Sequence, residues 1–260
     1  MTDLDPKPSM SASVTVDITG ALASITLNRP PGNRIHFGMR EELRDAVRRV
    51  ATSQAKCLIV KAAGPDFCLG GDVRDWPGVP SSILRPKIAV FAEALEELRR
   101  LKIPTLAVVQ GRCYGGGFEL ALSCDFIIAS HSAVFCFPEA GVGILTLQGG
   151  VMWLAQRIGR AKALELVLLC EPVGAEQMLH WNVINRLADD TELEAESNSF
   201  AERLATVSQP ACATTKQLLH IWSTSGAMAA MDQWYDASMP LFDTEEIQNT
   251  LQLAAAAMNR

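Results

Sequence analysis

Residues 103–139, IPTLAVVQGRCYGGGFELALSCDFIIASHSAVFCFPE, contain the pattern that decides the fold of this 260-residue chain. Thr105–Val109 is a short apolar run that follows a proline and ends at a glutamine and a glycine, which predicts a strand buried on both faces. A triple glycine comes next, and the segment that begins at Phe118 predicts a helix. The stretch therefore indicates a buried strand, a glycine-rich loop and a helix in close succession.

The triple glycine, residues 115–117, allows backbone N–H groups to approach a ligand because no Cβ atom stands in the way. The helix start that follows offers unpaired N–H donors and the positive end of the helix dipole, which favour an oxygen atom that gains negative charge. Glu119 lies in the first turn of this helix, and Glu139 follows a second predicted strand at residues 126–129. A catalytic pocket is one interpretation; a tight turn with a glutamate that only balances the helix dipole is the other.

Composition limits the class of protein. The chain is 48% hydrophobic and 20% charged, which suits one large domain with a helical appendage. Its net charge of −6 argues against nucleic acid or an anionic membrane as the principal partner. Seven cysteines without a Cys-x-x-Cys pair, and an N-terminus without a signal-peptide pattern, favour a cytoplasmic protein. We expect a disordered leader at residues 1–12 and no membrane span.

The first half of the chain repeats a strand-then-helix pattern. Residues 14–17 and 23–27 alternate and predict a hairpin, and residues 37–50 have helical period before a strand at 57–60. A second helix, at residues 88–101, leads into the strand of the opening motif. Such repeated units predict an α/β fold whose sheet turns in a spiral or is covered on both faces.

After Glu139 the pattern is mainly helical, with one last strand predicted at residues 183–187. The predicted helices span residues 149–158, 160–169, 175–180, 192–205, 211–222, 228–239 and 245–258. The last four carry apolar faces that need a surface to pack on. A bundle within one subunit and an interface between subunits would both produce this pattern.

Two motifs carry a resemblance to a known family. The strings IPTLAVVQGRCYGGGFELALSCDFIIAS and FPEAGVGI, with GPDFCLGGDVRDW upstream, resemble the core of the crotonase (enoyl-CoA hydratase/isomerase) superfamily. The resemblance extends from residue 23 to residue 216. It implies a spiral of ββα units at residues 13–190 and a C-terminal helical trimerisation region at 191–260. It also implies a homotrimer or hexamer and an acyl-CoA thioester substrate, with no separate cofactor because CoA is part of the substrate.

The resemblance also assigns roles to individual residues. Gly71 and Gly116 match the glycines whose backbone N–H groups form an oxyanion hole. Glu119 and Glu139 match the two acid–base glutamates, of which the first activates water and the second delivers a proton to C2. Many relatives with other activities lack one or both acids, so the pair favours a hydratase. An enoyl-CoA isomerase, a hydratase of ring substrates and a non-catalytic thioester- or RNA-binding homologue are the alternatives.

The loop after the second glutamate departs from the family pattern. Hydratases usually have Gly-x-x-Pro-x-x-Gly-Gly, whereas residues 143–150 are GILTLQGG, with Thr146 in place of the proline. This predicts a reshaped acyl pocket, for which the candidate lining residues are Leu69, Phe118, Ile144, Thr146 and Leu147. The C-terminal LQLAAAAMNR also lacks the aromatic residue and the lysine with which the family often holds the adenine end of CoA.

Other polar residues have simpler interpretations. No metal site is predicted, because none of the four histidines has metal-ligand spacing with a cysteine or carboxylate: His36, His131, His180 and His220. Asp72 is expected to fix its loop by accepting backbone N–H bonds. Arg40, Arg44 and Arg48 form a stripe on one predicted helix, interleaved with acidic residues, which favours a solvated helix face over an RNA-binding surface.

Overall fold

The computed structural model describes residues 12–258, so the predicted leader, apart from Ala12, lies outside the described residues. The strands are β1 (Val14–Thr19), β2 (Leu22–Leu27), β3 (Cys57–Ala62), β4 (Thr105–Val109), β5 (Arg112–Tyr114), β6 (Phe126–Ser130), β7 (Val134–Cys136), β8 (Val173–Gly174) and β9 (Arg186–Ala188). The helices of the first part are α1 (Phe37–Ala51), α2 (Ser81–Arg99), α3 (Gly116–Leu122), α4 (Gly150–Ile158), α5 (Arg160–Leu169) and α6 (Ala175–His180). The later helices are α7 (Leu193–Ala205), α8 (Gln209–Ser225), α9 (Ala227–Asp232), α10 (Trp234–Ser238) and α11 (Glu245–Met258).

The larger sheet has six strands in the order β1-β2-β3-β4-β6-β9. The β1–β2 hairpin is antiparallel, as the alternating pattern predicted, and the remaining pairs are parallel. Parallel neighbours require long crossovers, and the helices α1, α2 and α3 provide them. The repeated strand-then-helix pattern of the sequence therefore corresponds to this sheet.

Strand β4 is buried on both faces, as its continuous apolar run predicted. All five of its residues are buried. Ala107 and Val109 belong to the core that also contains α1, α2 and α3, whereas Leu106 and Val108 belong to a second core against α7. Because successive side chains of a strand point to opposite faces, a strand with helices on both sides has no polar face.

The smaller sheet, in the order β5-β7-β8, was not predicted from the sequence. Its strands have two or three residues each, which is too short for an alternating pattern to be recognised. Strands β5 and β7 are parallel, and the N–H of Gly115 donates to the carbonyl of Cys136 over 2.9 Å. The glycine loop and the segment that leads to Glu139 therefore leave this sheet at the same edge.

The C-terminal part is helical, although the helix predicted at residues 228–239 is divided into α9, α10 and the start of a 3₁₀ helix, Met239–Asp243. The last strand begins later than predicted, at Arg186. Lys216 of α8 attaches this region to the core, since its Nζ lies 2.6 Å from a carboxylate oxygen of Asp125 and 2.9 Å from the carbonyl of Ile103. The domain division at residue 190 stays a prediction. No helix within residues 12–258 is long and apolar enough to cross a membrane.

The sequence predicted that three arginines form an ion-paired, solvated stripe on α1, and two of the three form ion pairs. Arg44 and Arg48 form ion pairs with glutamates of α2, at 3.2 Å from Glu93 and 2.7 Å from Glu97. The prediction is wrong for Arg40, which is only 3% exposed. Helix α1 packs along α2, and the residue at the first position of the stripe is covered by that contact.

Candidate active site

A cavity of about 290 Å³ lies where the two glycine loops, the start of α3 and the loop after β7 meet. Seven residues that the sequence singled out line this cavity: Leu69, Gly71, Gly116, Glu119, Glu139, Ile144 and Leu147. They come from segments that are distant in the chain, and the parallel strands and the small sheet bring them together.

Two predicted pocket residues, Phe118 and Thr146, do not line the cavity. Phe118 is 1% exposed and stacks on Phe137 with the ring centroids 4.7 Å apart. Successive residues of a helix point about 100° apart, so the same turn directs Glu119 to the cavity and Phe118 into the core. Thr146 is 2% exposed, and its hydroxyl accepts a hydrogen bond from the N–H of Val151 over 3.4 Å. The Thr146 hydroxyl thus provides an acceptor for an N–H group in the first turn of α4, which has no partner within the helix.

Glu119 is buried and held in place by the start of α4. Its Oε1 accepts hydrogen bonds from the N–H groups of Gln148, over 2.8 Å, and Gly150, over 2.9 Å. Burial raises the pKa of Glu119 to about 7, and the nearby Glu139 contributes to the shift, while the two N–H donors oppose it. A carboxyl group with a pKa near neutrality can both accept and return a proton.

Glu139 lies at the start of the 3₁₀ helix Glu139–Val142, directly after the small sheet. Its Oε2 is buried and has no hydrogen-bond partner among the described residues, and burial raises the pKa of this carboxyl as well. Its Oε1 faces the glycine loop, because a Cβ on Gly115 would lie 2.6 Å from that oxygen. Gly115 also has a φ of +52°, so both the backbone and the space require glycine there.

The two predicted oxyanion donors occupy neighbouring loops. Backbone bonds of 2.9 Å from Ile35 to Gly70 and 3.0 Å from Asp72 to Ile35 hold the first loop. The N–H groups of Gly71 and Gly116 have no acceptor in the part of the chain that the structure describes. The loops touch, since a Cβ on Gly70 would lie 3.2 Å from the nitrogen of Gly116. Two unpaired N–H groups at one cavity can receive an oxygen atom that gains charge.

Asp72 fixes the first loop, as expected, but chiefly through guanidinium groups. Its carboxylate accepts a hydrogen bond from Arg74 over 2.7 Å and another from Arg29 over 3.0 Å. These bonds, with Arg74 contributing most, hold the pKa of Asp72 well below its usual range. Asp72 therefore stays ionised and is unsuited to act as the proton donor or acceptor.

A second cavity, of about 670 Å³, adjoins the first, and Arg34, Leu69 and Val73 line both. Four arginines line it: Arg29, Arg34, Arg74 and Arg112. No sequence pattern indicates this groove, because its four arginines are scattered along the chain and share no regular spacing. The described residues contain no group of three or more His, Cys, Asp or Glu side chains that could hold a metal ion.

Comparisons with known proteins agree with this geometry. The family model described as enoyl-CoA hydratase/isomerase matches residues 17–254. A probable enoyl-CoA hydratase of Rhodobacter capsulatus is 30% identical over 209 residues, which cover 80% of this chain and 81% of the relative. Carnitinyl-CoA dehydratase of Escherichia coli is 32% identical over 214 residues, or 80% of each chain. The structure of DspI from Pseudomonas aeruginosa has a TM-score of 0.90 at 27% identity, covering 96% of this chain and 98% of that one.

The crotonase fold predicted from the two motifs is confirmed by these structural matches. The chain belongs to the enoyl-CoA hydratase/isomerase family. It is therefore an enzyme of the class whose relatives are named hydratases and dehydratases.

Proposed function

We propose that the protein catalyses the reversible hydration of a 2-enoyl-CoA thioester through an enolate held by two backbone N–H groups. One observation carries this proposal: the buried carboxyl group of Glu119 and the half-buried one of Glu139 line the same cavity as the N–H groups of Gly71 and Gly116, which have no acceptor among the described residues. Hydration needs a base for water, an acid for the α-carbon and a site for the thioester oxygen. The four residues supply these three functions.

In the proposed reaction, the thioester oxygen accepts hydrogen bonds from Gly71 and Gly116, which stabilise the negative charge of the enolate. Glu119, as the carboxylate, takes a proton from water while the water oxygen forms a bond to C3. Glu139, in its protonated form, then delivers a proton to C2. The product is the 3-hydroxyacyl thioester, and dehydration follows the same steps in reverse. Burial raises the pKa of both glutamates above the ordinary value of a carboxyl group, which favours proton exchange with the substrate.

We also propose that the groove with four arginines receives the phosphate groups of CoA. The groove opens beside the catalytic cavity, and guanidinium groups bind phosphate well. Arg29 and Arg74 both form ion pairs with Asp72, and Arg112 forms one with Asp66. Arg34 has no ion pair among the side chains of residues 12–74 and 76–258, so it is the most available of the four.

A panel of enoyl-CoA thioesters of varied length and branching tests the proposed reaction. We expect at least one member to lose its conjugated absorbance and to give a product heavier by one water. An isomerase would instead give a product of unchanged mass with a shifted double bond. Tight binding of thioesters without turnover of any member would contradict hydration and favour a non-catalytic binding protein.

The exposed apolar side chains of the C-terminal helices support a further part of the proposal, a trimer or a hexamer. They include Leu219, Trp222, Met228, Met231, Trp234, Tyr235 and Leu253. A monomer would leave this surface in water, and such surfaces usually mark interfaces between subunits. Analytical ultracentrifugation is expected to show three or six chains per particle. A monomer at micromolar concentration would contradict the expected assembly.

A further inference from the structure

Arg40 of α1 is a buried cation that the proposed mechanism does not use. It is 3% exposed and lines the catalytic cavity. Its guanidinium carbon lies 5.0 Å from the ring centroid of Phe37 and 5.7 Å from that of Trp76. Its Nη1 donates to the carbonyl of Lys87 over 3.3 Å. Two aromatic rings and one hydrogen bond therefore fix the orientation of the guanidinium group.

The positive charge of Arg40 has no counterion among the described residues. The next two arginines of α1 each have a glutamate within 3.2 Å, whereas Arg40 has no carboxylate oxygen within ion-pair distance among the side chains of residues 12–74 and 76–258. Its Nε is buried without an acceptor. Burial lowers the pKa of Arg40 to about 10, so the side chain remains charged at neutral pH. A buried unpaired cation is costly, which makes a counterion supplied by a ligand favourable.

The guanidinium group of Arg40 lies close to the glycine loop of the cavity. Nη2 of Arg40 lies 3.9 Å from the position of a Cβ on Gly71, one of the proposed oxyanion donors. Nε1 of Trp76, on the same wall, is also buried without an acceptor. This wall therefore carries a positive charge and two donors, Nε of Arg40 and Nε1 of Trp76, for which the described residues supply no acceptor.

We propose that Arg40 binds a carboxylate group carried by the acyl chain, so that the preferred substrates are CoA monothioesters of dicarboxylic acids. This inference rests on the proposed function, because it assumes that a CoA thioester occupies the cavity. A guanidinium group binds a carboxylate through paired, charge-assisted hydrogen bonds. A plain hydrocarbon chain would leave Arg40 buried and unpaired. In the competing role, Arg40 would donate a hydrogen bond to the thioester oxygen itself. It would then increase the affinity for every thioester equally.

Isothermal titration with glutaryl-CoA and pentanoyl-CoA separates these roles, because the two acyl chains have the same number of carbons and neither can be hydrated. We expect the parent enzyme to bind glutaryl-CoA about 10- to 100-fold more tightly, the range for a hydrogen-bonded charge pair. Arg40→Met should abolish this preference and leave the affinity for pentanoyl-CoA unchanged. Arg40→Lys should retain part of the preference, since it keeps the charge but not the fork of donors. Arg44→Met, one turn along the same helix at an arginine that is paired with Glu93 and does not line the cavity, is the matched control and should retain the preference fully.

Each of the other possible results contradicts the inference about Arg40, the proposed function or both. Equal affinity of the parent enzyme for the two thioesters would overturn the inference, whatever the variants do. An equal loss for both thioesters in Arg40→Met would assign Arg40 to the thioester oxygen and overturn it as well. Selective binding of glutaryl-CoA by an enzyme that hydrates no enoyl thioester would leave the inference standing and refute the proposed function. Absence of binding for both thioesters would refute both.

Discussion

Glu119→Gln is expected to fold normally and to reduce hydratase turnover about 100-fold or more, the usual contribution of one general acid–base group. The amide has the size of the carboxyl group, and its oxygen can still accept the hydrogen bonds that Gln148 and Gly150 donate to Glu119. It cannot take a proton from water. Steady-state kinetics on the best substrate of the thioester panel, together with thermal unfolding of the variant, measure the two effects separately.

Glu139→Gln is expected to give a loss of similar size, because the reaction needs the second carboxyl group to deliver a proton to C2. Glu165→Gln is the matched control, since Glu165 is an exposed residue of α5 that is paired only with Lys162. The double variant should lose little more than the worse single variant, because the two acids act in successive steps of one reaction and loss of either already blocks turnover. Near-full turnover in either single variant would show that the substituted glutamate is only a helix or turn residue.

The sequence was informative wherever a segment was long or had one continuous pattern. The strand β4 and the helices α5 and α6 have the predicted limits, and the two glutamates lie beside one cavity. The small sheet was missed because its strands are too short to show a period. Residue spacing places a side chain on a helix but does not determine which way it points at a helix start, and Phe118 was therefore placed wrongly.

Arg40 shows a second reason why sequence alone is insufficient. Its spacing to Arg44 and Arg48 is identical to that of a solvated, ion-paired stripe, and acidic residues surround it in the chain. Arg40 is covered because α1 packs on α2, whereas Arg44 and Arg48 form ion pairs with glutamates of α2. A contact of this kind depends on elements far apart in sequence, so no local pattern indicates it.

Gly116 is the one glycine of the triple-glycine loop at which a substitution can test the oxyanion hole cleanly. A Cβ on Gly115 would lie 2.6 Å from Oε1 of Glu139, and one on Gly117 would collide with the carbonyl oxygen of Cys68. Either change would disturb an acid or the backbone. A Cβ on Gly116 would lie 3.3 Å from the side chain of Phe91, 3.7 Å from that of Ile35 and 3.8 Å from Cα of Gly70, so it would collide with no backbone atom; all three residues line the cavity.

Gly116→Val is therefore expected to keep a melting temperature within a few degrees of the parent and to abolish turnover of any thioester. The new methyl groups enter the cavity beside the N–H donor, and loss of one such donor alone costs about 100-fold or more in rate. Gly116→Ala should give a smaller loss, because its single methyl group leaves more of the approach open. Gly174→Val is the control, since a Cβ on Gly174 meets nothing within 4 Å.

Binding measurements with the same variant separate catalysis from recognition. The N–H donors of Gly71 and Gly116 act more strongly on the enolate than on the neutral thioester, so the affinity of Gly116→Val for a saturated acyl-CoA should fall much less than its rate. Equal losses of affinity and rate would mean that the valine only blocks the cavity. Turnover at the parental rate would remove Gly116 from the oxyanion hole. The two buried glutamates would then lack the enolate that their proton transfers require.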